Sequence, residues 1–425
     1  MSAMLMTVPD GGGTVPPDLS VASALRRRGH QVRVLSDPVL VPEVEAAGAE
    51  HVPWTRAPHR LDRSLESEII RDWEAKTPMG GFAQMRDRIV CGPAADYAGD
   101  VAAELARMPA DVVVTDFVLP GAMIAAEAAG LPFVILGTTI YPFPAPGVPT
   151  MGPGFMPSHG IFGRARDGAL AALTQRMWDR GLPAINAARA DFGLAPVATV
   201  TDVYDGADRF LVLTSESFEF PSSGRPANVR YVGPRLDDPA WTDAWVPPTG
   251  DQPLVLVALS STHQGQVAML SRVAEAFSGL AVRGLITTGP SVAPGEVDAP
   301  ANVTVVASAP HRQVLEHADL VVTHAGHGTT IKSLSRGVPL VCLPMGRDQN
   351  DVAARVVAAG AGVRLRPGSK AGKVAKAIQE VLSDPAYTAA AGRMAESIAT
   401  DVEPDRAVAE IEALLPRPAE VPTPA

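Results

Sequence analysis

Short apolar runs alternate with amphipathic helical stretches along most of the chain. The runs that predict buried strands are 4–8, 31–35, 111–115, 132–136, 210–214, 254–259, 284–287, 303–306, 320–323 and 338–343. Helical patterns lie between these runs, and the longest extends over about 163–192. Strands that alternate with helices are typical of parallel βαβ units, so the predicted fold class is α/β.

The stretch 234–253 separates two series of such units. It contains four prolines after Pro234, several aspartates and no helical period, which is typical of a linker. We therefore predict four segments, namely a first Rossmann-like domain at 1–234, a linker at 235–253, a second Rossmann-like domain at 254–415 and a flexible, proline-rich tail at 416–425. Doubly wound sheets bind ligands beyond the carboxyl ends of their strands, so a ligand is expected in the cleft between the two domains.

Composition and charge exclude several classes of partner. Lys and Arg total 36 against 46 Asp and Glu, and the sequence has no basic run beyond Arg26–Arg28, so nucleic acid is not an expected partner. Two cysteines cannot form a disulfide framework, and no spacing suggests zinc. No apolar run is long enough to span a bilayer, and the N-terminus lacks the pattern of a signal peptide. We expect a cytoplasmic protein without a membrane partner.

The segment from His324 to Thr330, with the sequence HAGHGTT, lies between a predicted strand and a predicted helix. Glycines at such a junction bring backbone N–H groups close to a ligand, and the helix N-terminus adds partial positive charge, which suits a phosphate. The alternative is a tight turn in which Thr329 or Thr330 caps the helix. Taken alone, the segment leaves both interpretations open. It is not a P-loop, and the triple glycine near the N-terminus fails the dinucleotide pattern because Pro16 stands in place of the last glycine.

The residues that follow favour the phosphate site. The whole stretch 324–362, which includes the polar cluster PMGRDQND at 344–351, resembles the C-terminal signature of family 1 glycosyltransferases with the GT-B fold. It is particularly similar to bacterial enzymes that glycosylate polyketides and other natural products. Further segments occur in the family's order, namely YVGP at 231–234, SST at 260–262, TTGP at 287–290 and APH at 309–311. The resemblance covers nearly the whole chain and is most specific over 254–362. It implies two Rossmann-like domains that face each other across a cleft.

The resemblance also implies a binding site for a nucleotide-sugar donor. The residues that it assigns to this site are Ser260, Ser261, Ala309, His324, Gly326, His327, Gly328, Thr329, Asp348 and Gln349. Among them, His324 and the amides of 326–329 hold the diphosphate with Ser260 and Ser261 opposite, 348–349 contact sugar hydroxyls, and Ala309 meets the base through its backbone. The structural alternatives are a buried histidine, a loop hydroxyl and a helix cap at Asp348. Preorganised N–H groups can stabilise a departing diphosphate, so we expect no metal and no cofactor besides this co-substrate.

The first loop departs from the family in its catalytic residue. Relatives commonly place a histidine there as general base, whereas this chain has Thr14, which cannot accept a proton at neutral pH. Asp116 matches the acid that partners this base in the family, and it is the other catalytic candidate. The alternatives are an acceptor that needs little activation, a catalytically impaired protein, or a structural role for Asp116 as a helix cap.

Two further departures concern the nucleotide. Lys332 stands where some relatives carry a glutamate that binds ribose hydroxyls, and a lysine cannot accept those hydrogen bonds. This change favours a dTDP-sugar over a UDP-sugar, unless Lys332 is simply a solvated helix residue. Ser308 stands where many relatives stack an aromatic ring on the base.

The acceptor side is predicted only by its character. The stretch 141–157 contains six prolines and three glycines together with large apolar residues, which suits a flat hydrophobic aglycone. The residues predicted to contact this acceptor are Tyr141, Phe143, Met151 and Phe155. Trp73, Phe82 and Met85 are weaker candidates, for which core packing is the favoured role.

These observations predict an inverting, metal-independent glycosyltransferase that moves a sugar from a nucleoside diphosphate to a small hydrophobic natural product. The alternatives are a sugar-nucleotide-binding helper protein that has lost its base, and a sugar-nucleotide epimerase. We expect a monomer or a homodimer.

Overall fold

A computed structural model describes residues 1–75, 77–158, 160–239, 241–402 and 405–415. The buried apolar runs pair in parallel as two sheets. The strands of the first sheet are β1 (Ala3–Val8), β2 (Gln31–Ser36), β3 (Glu50–Pro53), β4 (Val112–Asp116), β5 (Phe133–Gly137), β6 (Arg209–Val212) and β7 (Val229–Tyr231). Their order across the sheet is β3-β2-β1-β4-β5-β6-β7.

The second sheet has six strands. They are β8 (Leu254–Ala258), β9 (Arg283–Thr287), β10 (Val303–Val306), β11 (Leu320–Thr323), β12 (Leu340–Cys342) and β13 (Gly362–Arg364), in the order β10-β9-β8-β11-β12-β13. All pairings in both sheets are parallel, which confirms the predicted α/β fold with two Rossmann-like sheets.

Helices connect the strands and cover the sheet faces. They are α1 (Val15–Arg27), α2 (Val41–Ala46), α3 (Pro78–Met85), α4 (Ala94–Arg107), α5 (Pro120–Ala128), α6 (Ile161–Trp178), α7 (Leu182–Asp191), α8 (Val267–Ala276), α9 (His311–Val314), α10 (His327–Ser335), α11 (Gln349–Ala358), α12 (Ala371–Ser383), α13 (Pro385–Val402) and α14 (Arg406–Glu412). Within the described ranges, no helix is both long enough and apolar enough to cross a membrane.

Three details differ from the prediction. The helix predicted over 163–192 is two helices, because a 3₁₀ turn at Asp179–Gly181 interrupts it and a proline stands in the first turn of α7. The run 210–214 is the last strand predicted before the linker, but a further strand, β7, follows it in the same sheet. The apolar pattern does not predict the edge strands β3, β7 and β13, because each has only three or four residues and is partly exposed.

The C-terminal helix packs against the first sheet. Ala407, Val408 and Ile411 of α14 are buried in the same apolar cluster as the residues of β1 and α1, and Glu412 pairs with Arg28 at 2.7 Å. This helix belongs to the stretch predicted as the second domain, although its apolar face completes the core of the first. The domain limits stay a prediction, and the predicted tail at 416–425 lies outside the described residues.

Buried polar contacts join the two halves beside the cleft. The carboxylate of Glu219 pairs with the guanidinium of Arg355 at 2.7 Å, and both side chains are almost fully buried. The carboxylate of Asp351 accepts the backbone N–H groups of Gly152 (2.6 Å) and Gly154 (3.2 Å). Burial raises the pKa of Asp351 to about 6. The loop after β5 is therefore attached to the first turns of α11.

Candidate active site

A cleft of about 1030 Å³ lies between the carboxyl ends of the two sheets. Its walls include Thr14 and Asp116 from the first half and His324 and Asp348 from the second. In both sheets, these residues stand on loops that follow parallel strands, where ligands of doubly wound folds bind. The structure therefore brings the predicted catalytic and donor-binding residues to one cavity.

The loop between β11 and α10 is built around a tight backbone. Ala325 adopts a positive φ of 65°, and a Cβ added to Gly326 would lie 2.5 Å from Nε2 of His324. Gly326 is the N-cap of α10, and within the described residues no side chain caps this helix. The alternative in which Thr329 or Thr330 caps the helix is therefore wrong. The first-turn N–H groups of a helix have no intrahelical partner, so this turn can bind an anion.

The two histidines of this loop are both buried and neutral. Burial lowers the pKa of His324 to about 4, against the opposing effect of a hydrogen bond to the backbone of Ala258. Burial likewise lowers the pKa of His327 to about 4, and its Nε2 lies 2.9 Å from Oγ1 of Thr214 in the first half. At neutral pH neither ring carries charge, so His324 can meet a phosphate only through a hydrogen bond.

The glycine-rich first loop approaches the loop after β8 closely. Gly12 has a φ of 70°, and a Cβ there would lie 2.5 Å from Cγ2 of Thr262 and 2.8 Å from Oγ of Ser261. The neighbouring Ser260 is buried, and its Oγ lies 3.1 Å from Oγ1 of Thr262. The positive φ favours glycine at position 12, and a Cβ there would force the side chains of Ser261 and Thr262 to shift. The triple glycine thus brings the first loop against the loop that carries the predicted donor residues Ser260 and Ser261.

Asp348 and Gln349 shape the loop before α11. Asp348 is the N-cap residue of α11, as the cap alternative predicts, but among the described residues its carboxylate makes no cap hydrogen bond and instead accepts one from the hydroxyl of Thr139 in the first half. Burial raises its pKa. Oε1 of Gln349 accepts the N–H groups of Met345 (2.7 Å) and Gly346 (3.1 Å), which fixes the backbone of this loop.

Thr14 and Asp116 face the cleft from the first half. Thr14 is the N-cap residue of α1, and its hydroxyl makes no cap hydrogen bond within the described chain. The carboxylate of Asp116 accepts the N–H of Val118 at 2.9 Å and the hydroxyl of Thr138 at 3.4 Å. Burial raises its pKa to about 6. The N-cap of α5 is Leu119, so Asp116 closes a strand-end turn and does not cap the helix.

The sequence interpretation missed Asp18. This residue lies one helical turn after Thr14, is fully buried, and has its carboxyl group against that of Asp116. The spacing of four residues between Thr14 and Asp18 could have indicated it, since residues i and i+4 of a helix lie on the same face.

The linker contributes to the wall near Lys332 and Ser308. Nζ of Lys332 pairs with Oδ1 of Asp238 at 2.8 Å, so Lys332 is not the solvated helix residue of the alternative. The hydroxyl of Ser308 donates to Oδ2 of Asp243 at 2.6 Å. Trp241, which lies between these two aspartates in the chain, lines the cleft together with Ala309. The sequence interpretation treated this segment only as a linker.

Two of the four predicted acceptor residues line the cleft. Phe143 and Met151 do so, whereas Tyr141 is buried in the core of the first half with its ring 5.5 Å from that of Phe210. Phe155 lies outside the cavity and is 38% exposed, with the guanidinium of Arg166 stacked 4.6 Å from its ring. Tyr141 is thus a core residue and Phe155 a surface residue, and neither side chain lines the cleft. A proline-rich loop has no fixed periodicity, so its sequence does not show which side chains point inward.

Other apolar side chains complete this part of the cleft. They come from α3, the turn after it and α6, and they are Phe82, Met85, Ile89, Leu170, Leu173, Met177 and Trp178. Trp73 packs edge-on against His263 of the second half, with the ring centres 4.8 Å apart. Phe82 and Met85 thus line the cleft, although the sequence favours core packing for them.

Comparisons with known proteins agree with this architecture. The family model for the C-terminal domain of erythromycin biosynthesis protein CIII-like proteins matches residues 285–414. The 4'-demethylrebeccamycin synthase of Lentzea aerocolonigenes is 32% identical over 409 residues, which cover 93% of this chain and 95% of that protein.

Solved structures show the same fold. The glycosyltransferase of kitacinnamycin has a TM-score of 0.77 at 24% identity and covers 98% of this chain and 99% of its own. The calicheamicin glycosyltransferase CalG4 has a TM-score of 0.75 at 24% identity, with 99% of each chain covered. The glycosyltransferase VinC in complex with dTDP has a TM-score of 0.69 at 20% identity and covers 97% of this chain and 99% of its own. The similarity to the 4'-demethylrebeccamycin synthase, which extends over 93% of this chain, shows the family. The chain belongs to the family 1 glycosyltransferases.

Proposed function

We propose that this glycosyltransferase moves a sugar, with inversion and without a metal, from a nucleoside diphosphate to a small hydrophobic acceptor. The observation that carries the proposal is the opposition of two groups across one cleft. The free first turn of α10 lies on one side, and the carboxylate of Asp116 lies on the other. One side suits a leaving diphosphate and the other suits a base.

The reaction follows from this opposition. Asp116 takes the proton from the acceptor's nucleophilic atom while that atom forms a bond to the anomeric carbon. The bond between this carbon and the diphosphate oxygen breaks, and its electron pair leaves with the diphosphate. N–H groups of 326–329 and the neutral imidazole of His324 stabilise the growing negative charge. The nucleophile attacks from the wall opposite the leaving group, so the anomeric configuration inverts.

An apolar acceptor suits the rest of the cleft. The cleft that Asp116 lines also carries aromatic and thioether side chains, namely Phe82, Phe143, Met151 and Trp178. Such walls bind flat hydrophobic molecules, and a few polar groups orient them. The relative from Lentzea aerocolonigenes is named 4'-demethylrebeccamycin synthase, which supports an acceptor of the natural-product class.

We further propose dTDP as the preferred nucleotide. Lys332 replaces a hydroxyl-accepting glutamate, and a similarly folded protein, VinC, has been solved with dTDP. Asp238 beside Lys332 is the feature that weighs against a strict preference, because its carboxylate can still accept a hydrogen bond from a ribose hydroxyl. Ser260, Ser261, Ala309, Asp348 and Gln349 retain their predicted donor-binding roles in this proposal. The cytoplasmic location and the oligomeric state stay predictions.

Calorimetric titration of the full chain with dTDP, UDP and NAD tests the donor class. We expect dTDP to bind more tightly than UDP and NAD not to bind. At about 100 times the dissociation constant, a ligand stabilises the fold by about 2.7 kcal/mol, so a thermal shift gives an independent reading. Preference for UDP would overturn the choice of nucleotide alone, and absence of binding to either would overturn the proposed donor site.

Incubation with a dTDP-sugar and a panel of flat aromatic alcohols, phenols and amines tests the reaction. We expect product with the anomeric configuration opposite to that of the donor, read by the proton coupling constant of the anomeric centre. Transfer should persist in excess EDTA. Retention of configuration, or loss of transfer with EDTA that added Mg²⁺ restores, would contradict the proposed mechanism.

A further inference from the structure

Asp18 is an acidic residue in an apolar position. It lies on the buried face of α1, its exposure is 0%, and neither carboxyl oxygen has a hydrogen-bond donor among the residues that the structure describes. A buried carboxylate without a donor is strongly unfavourable, so such a group binds a proton or shares one with a neighbour.

The neighbour is Asp116. The two carboxyl groups are in contact, and they differ in their other partners. Asp116 accepts two hydrogen bonds, from Val118 and Thr138, and it lines the cleft, whereas Asp18 lies behind it. Donors stabilise an anion, so the negative charge of the pair resides on Asp116 and the shared proton on Asp18. The titratable Tyr204 also lies close to Asp116, and its hydroxyl donates to the carbonyl of Phe117 at 2.9 Å.

We propose that Asp18 is a positioning residue that, as a neutral acid, donates a hydrogen bond to the carboxylate of Asp116 and holds it as the general base. This inference rests on the proposed transfer reaction. The acceptor's proton goes to Asp116, and the proton of Asp18 stays in place. Buried carboxyl pairs that share one proton use the same principle, because two adjacent carboxylates cannot both ionise easily.

The pair accounts for the change at Thr14. Where relatives have a histidine, Thr14 supplies no titratable side chain. Asp18, one turn later on the same face of α1, does supply one. The site thus retains two acidic groups, with Asp116 in the cleft wall at the end of β4 and Asp18 behind it on α1. Burial raises the pKa of both groups, that of Asp116 to about 6.

Three variants of the full-length enzyme test this inference through the pH profile of kcat/KM. Asp116→Asn removes the base, and we expect a loss of roughly 10²–10⁴-fold. Asp18→Leu removes the donor. Burial raises the pKa of Asp116 and the hydrogen bond from Asp18 lowers it, so without this bond we expect the acid limb to move upward by about one pH unit. Asp18→Asn keeps a donor in the same shape, so the acid limb should stay within about 0.3 units of that of the wild-type enzyme.

The titration of each variant with dTDP is the control for folding and donor binding. If wild-type enzyme transfers sugar but the acid limb of Asp18→Leu coincides with that of wild type, the inference fails while the proposed function stands. The inference fails in the same way if Asp18→Asn and Asp18→Leu shift the acid limb equally. If wild-type enzyme binds no nucleotide and transfers no sugar, the proposed function itself fails.

The linker gives independent evidence for a second inference, about the donor nucleoside. Contacts of Asp238 and Asp243 attach it to the second half. Asp238 pairs with Lys332 and also accepts the N–H of Arg312 at 3.1 Å, and the N–H of Asp243 donates to Oγ of Ser308 at 2.9 Å. Trp241 lies between these contacts and lines the cleft.

We infer that Trp241 provides the aromatic face on which the base of the donor nucleotide stacks. Ser308, at the position where many relatives carry an aromatic ring, instead binds the linker segment that carries Trp241. The inference rests on the proposed donor site. A stacking indole recognises the face of a base and not its edge, so it serves thymine and uracil alike.

Calorimetry with dTDP and UDP tests Trp241. Base stacking on an aromatic side chain is worth about 1–3 kcal/mol, so Trp241→Leu should weaken both nucleotides by about tenfold, and Trp241→Phe should restore most of the affinity. Trp245→Leu is the matched control, because this indole packs against His317 with the ring centres 5.9 Å apart. Wild-type affinity in Trp241→Leu, or an equal loss in Trp245→Leu, would overturn the inference. No nucleotide binding by wild-type protein would instead refute the donor site.

Discussion

The donor and acceptor walls of the cleft are built in different ways. The donor wall consists of strand-to-helix loops in which backbone geometry decides what fits, as at Gly326, where a Cβ would lie 2.5 Å from the ring of His324. The acceptor wall consists of apolar side chains from a proline-rich loop and from α3 and α6. A wall that binds its ligand through backbone groups permits few substitutions, because they disturb the path of the backbone. The residues of an apolar wall can be substituted one at a time. This difference explains why one half of the site has a readable motif and the other does not.

A side chain at Gly326 should have the largest effect on the donor wall. We expect Gly326→Val to lower kcat/KM by roughly 10²-fold or more, because the new side chain displaces His324 and moves the diphosphate loop. Steady-state kinetics against the donor measure this loss. Gly372→Ala is the control, since a Cβ at position 372 meets open space. A donor wall that tolerated Gly326→Val would not differ in kind from the acceptor wall.

Removal of the His324 ring should have the next largest effect. A hydrogen bond to a charged group is worth about 1.5–3 kcal/mol, so His324→Ala should weaken dTDP by about tenfold or more. The pKa of His324 is lowered to about 4, so the ring is neutral from pH 6 to pH 8 and its contribution should not change over this range. Calorimetry at both pH values measures this. A contribution that grew toward pH 6 would indicate a protonated imidazole and contradict the assignment.

Changes in the acceptor wall should leave the donor unaffected. Phe143→Ala should raise the KM of a hydrophobic acceptor by about tenfold, which corresponds to the loss of one buried aromatic contact. The affinity for dTDP should stay constant in this variant. Phe155→Ala, outside the cavity, should change neither quantity. An equal loss of dTDP affinity in Phe143→Ala would show that the two walls are not independent.

The acidic pair between the walls should affect stability in a pH-dependent way. The pKa of Asp18 is raised in the folded state, so its contribution to stability is complete below its unfolded pKa of about 3.9 and is lost as the pH rises through the folded value. Asp18→Asn does not titrate. We therefore expect its Tm to exceed that of wild type by about 2 °C at pH 8, with a smaller difference at pH 4.5. If Asp18→Asn raised the Tm more at pH 4.5 than at pH 8, the pKa of Asp18 would not be raised in the folded state.

The sequence predicts the fold and the donor wall better than the acceptor wall. Buried strands are visible as apolar runs, and the segment HAGHGTT indicates a backbone site because glycine is required where loops approach closely. The side chains of Tyr141 and Phe155 do not line the cleft, because in an irregular loop no periodicity decides which side chains face inward. The sequence pattern does not predict Asp18, because its partner Asp116 lies about 100 residues away. It does not predict Trp241 either, because the segment that carries this residue is held by the bond between Asp243 and Ser308, which are 65 residues apart.

The return of α14 to the first sheet affects how the chain folds during synthesis. The apolar cluster around β1 and α1 lacks Ala407, Val408 and Ile411 until α14 has left the ribosome. N-terminal units generally fold first as translation proceeds. Here the first sheet emerges with an open apolar surface that α14 covers later. If translation stalls within the second half, the apolar cluster around β1 and α1 stays exposed. We therefore expect chaperones to bind the nascent chain at this stage.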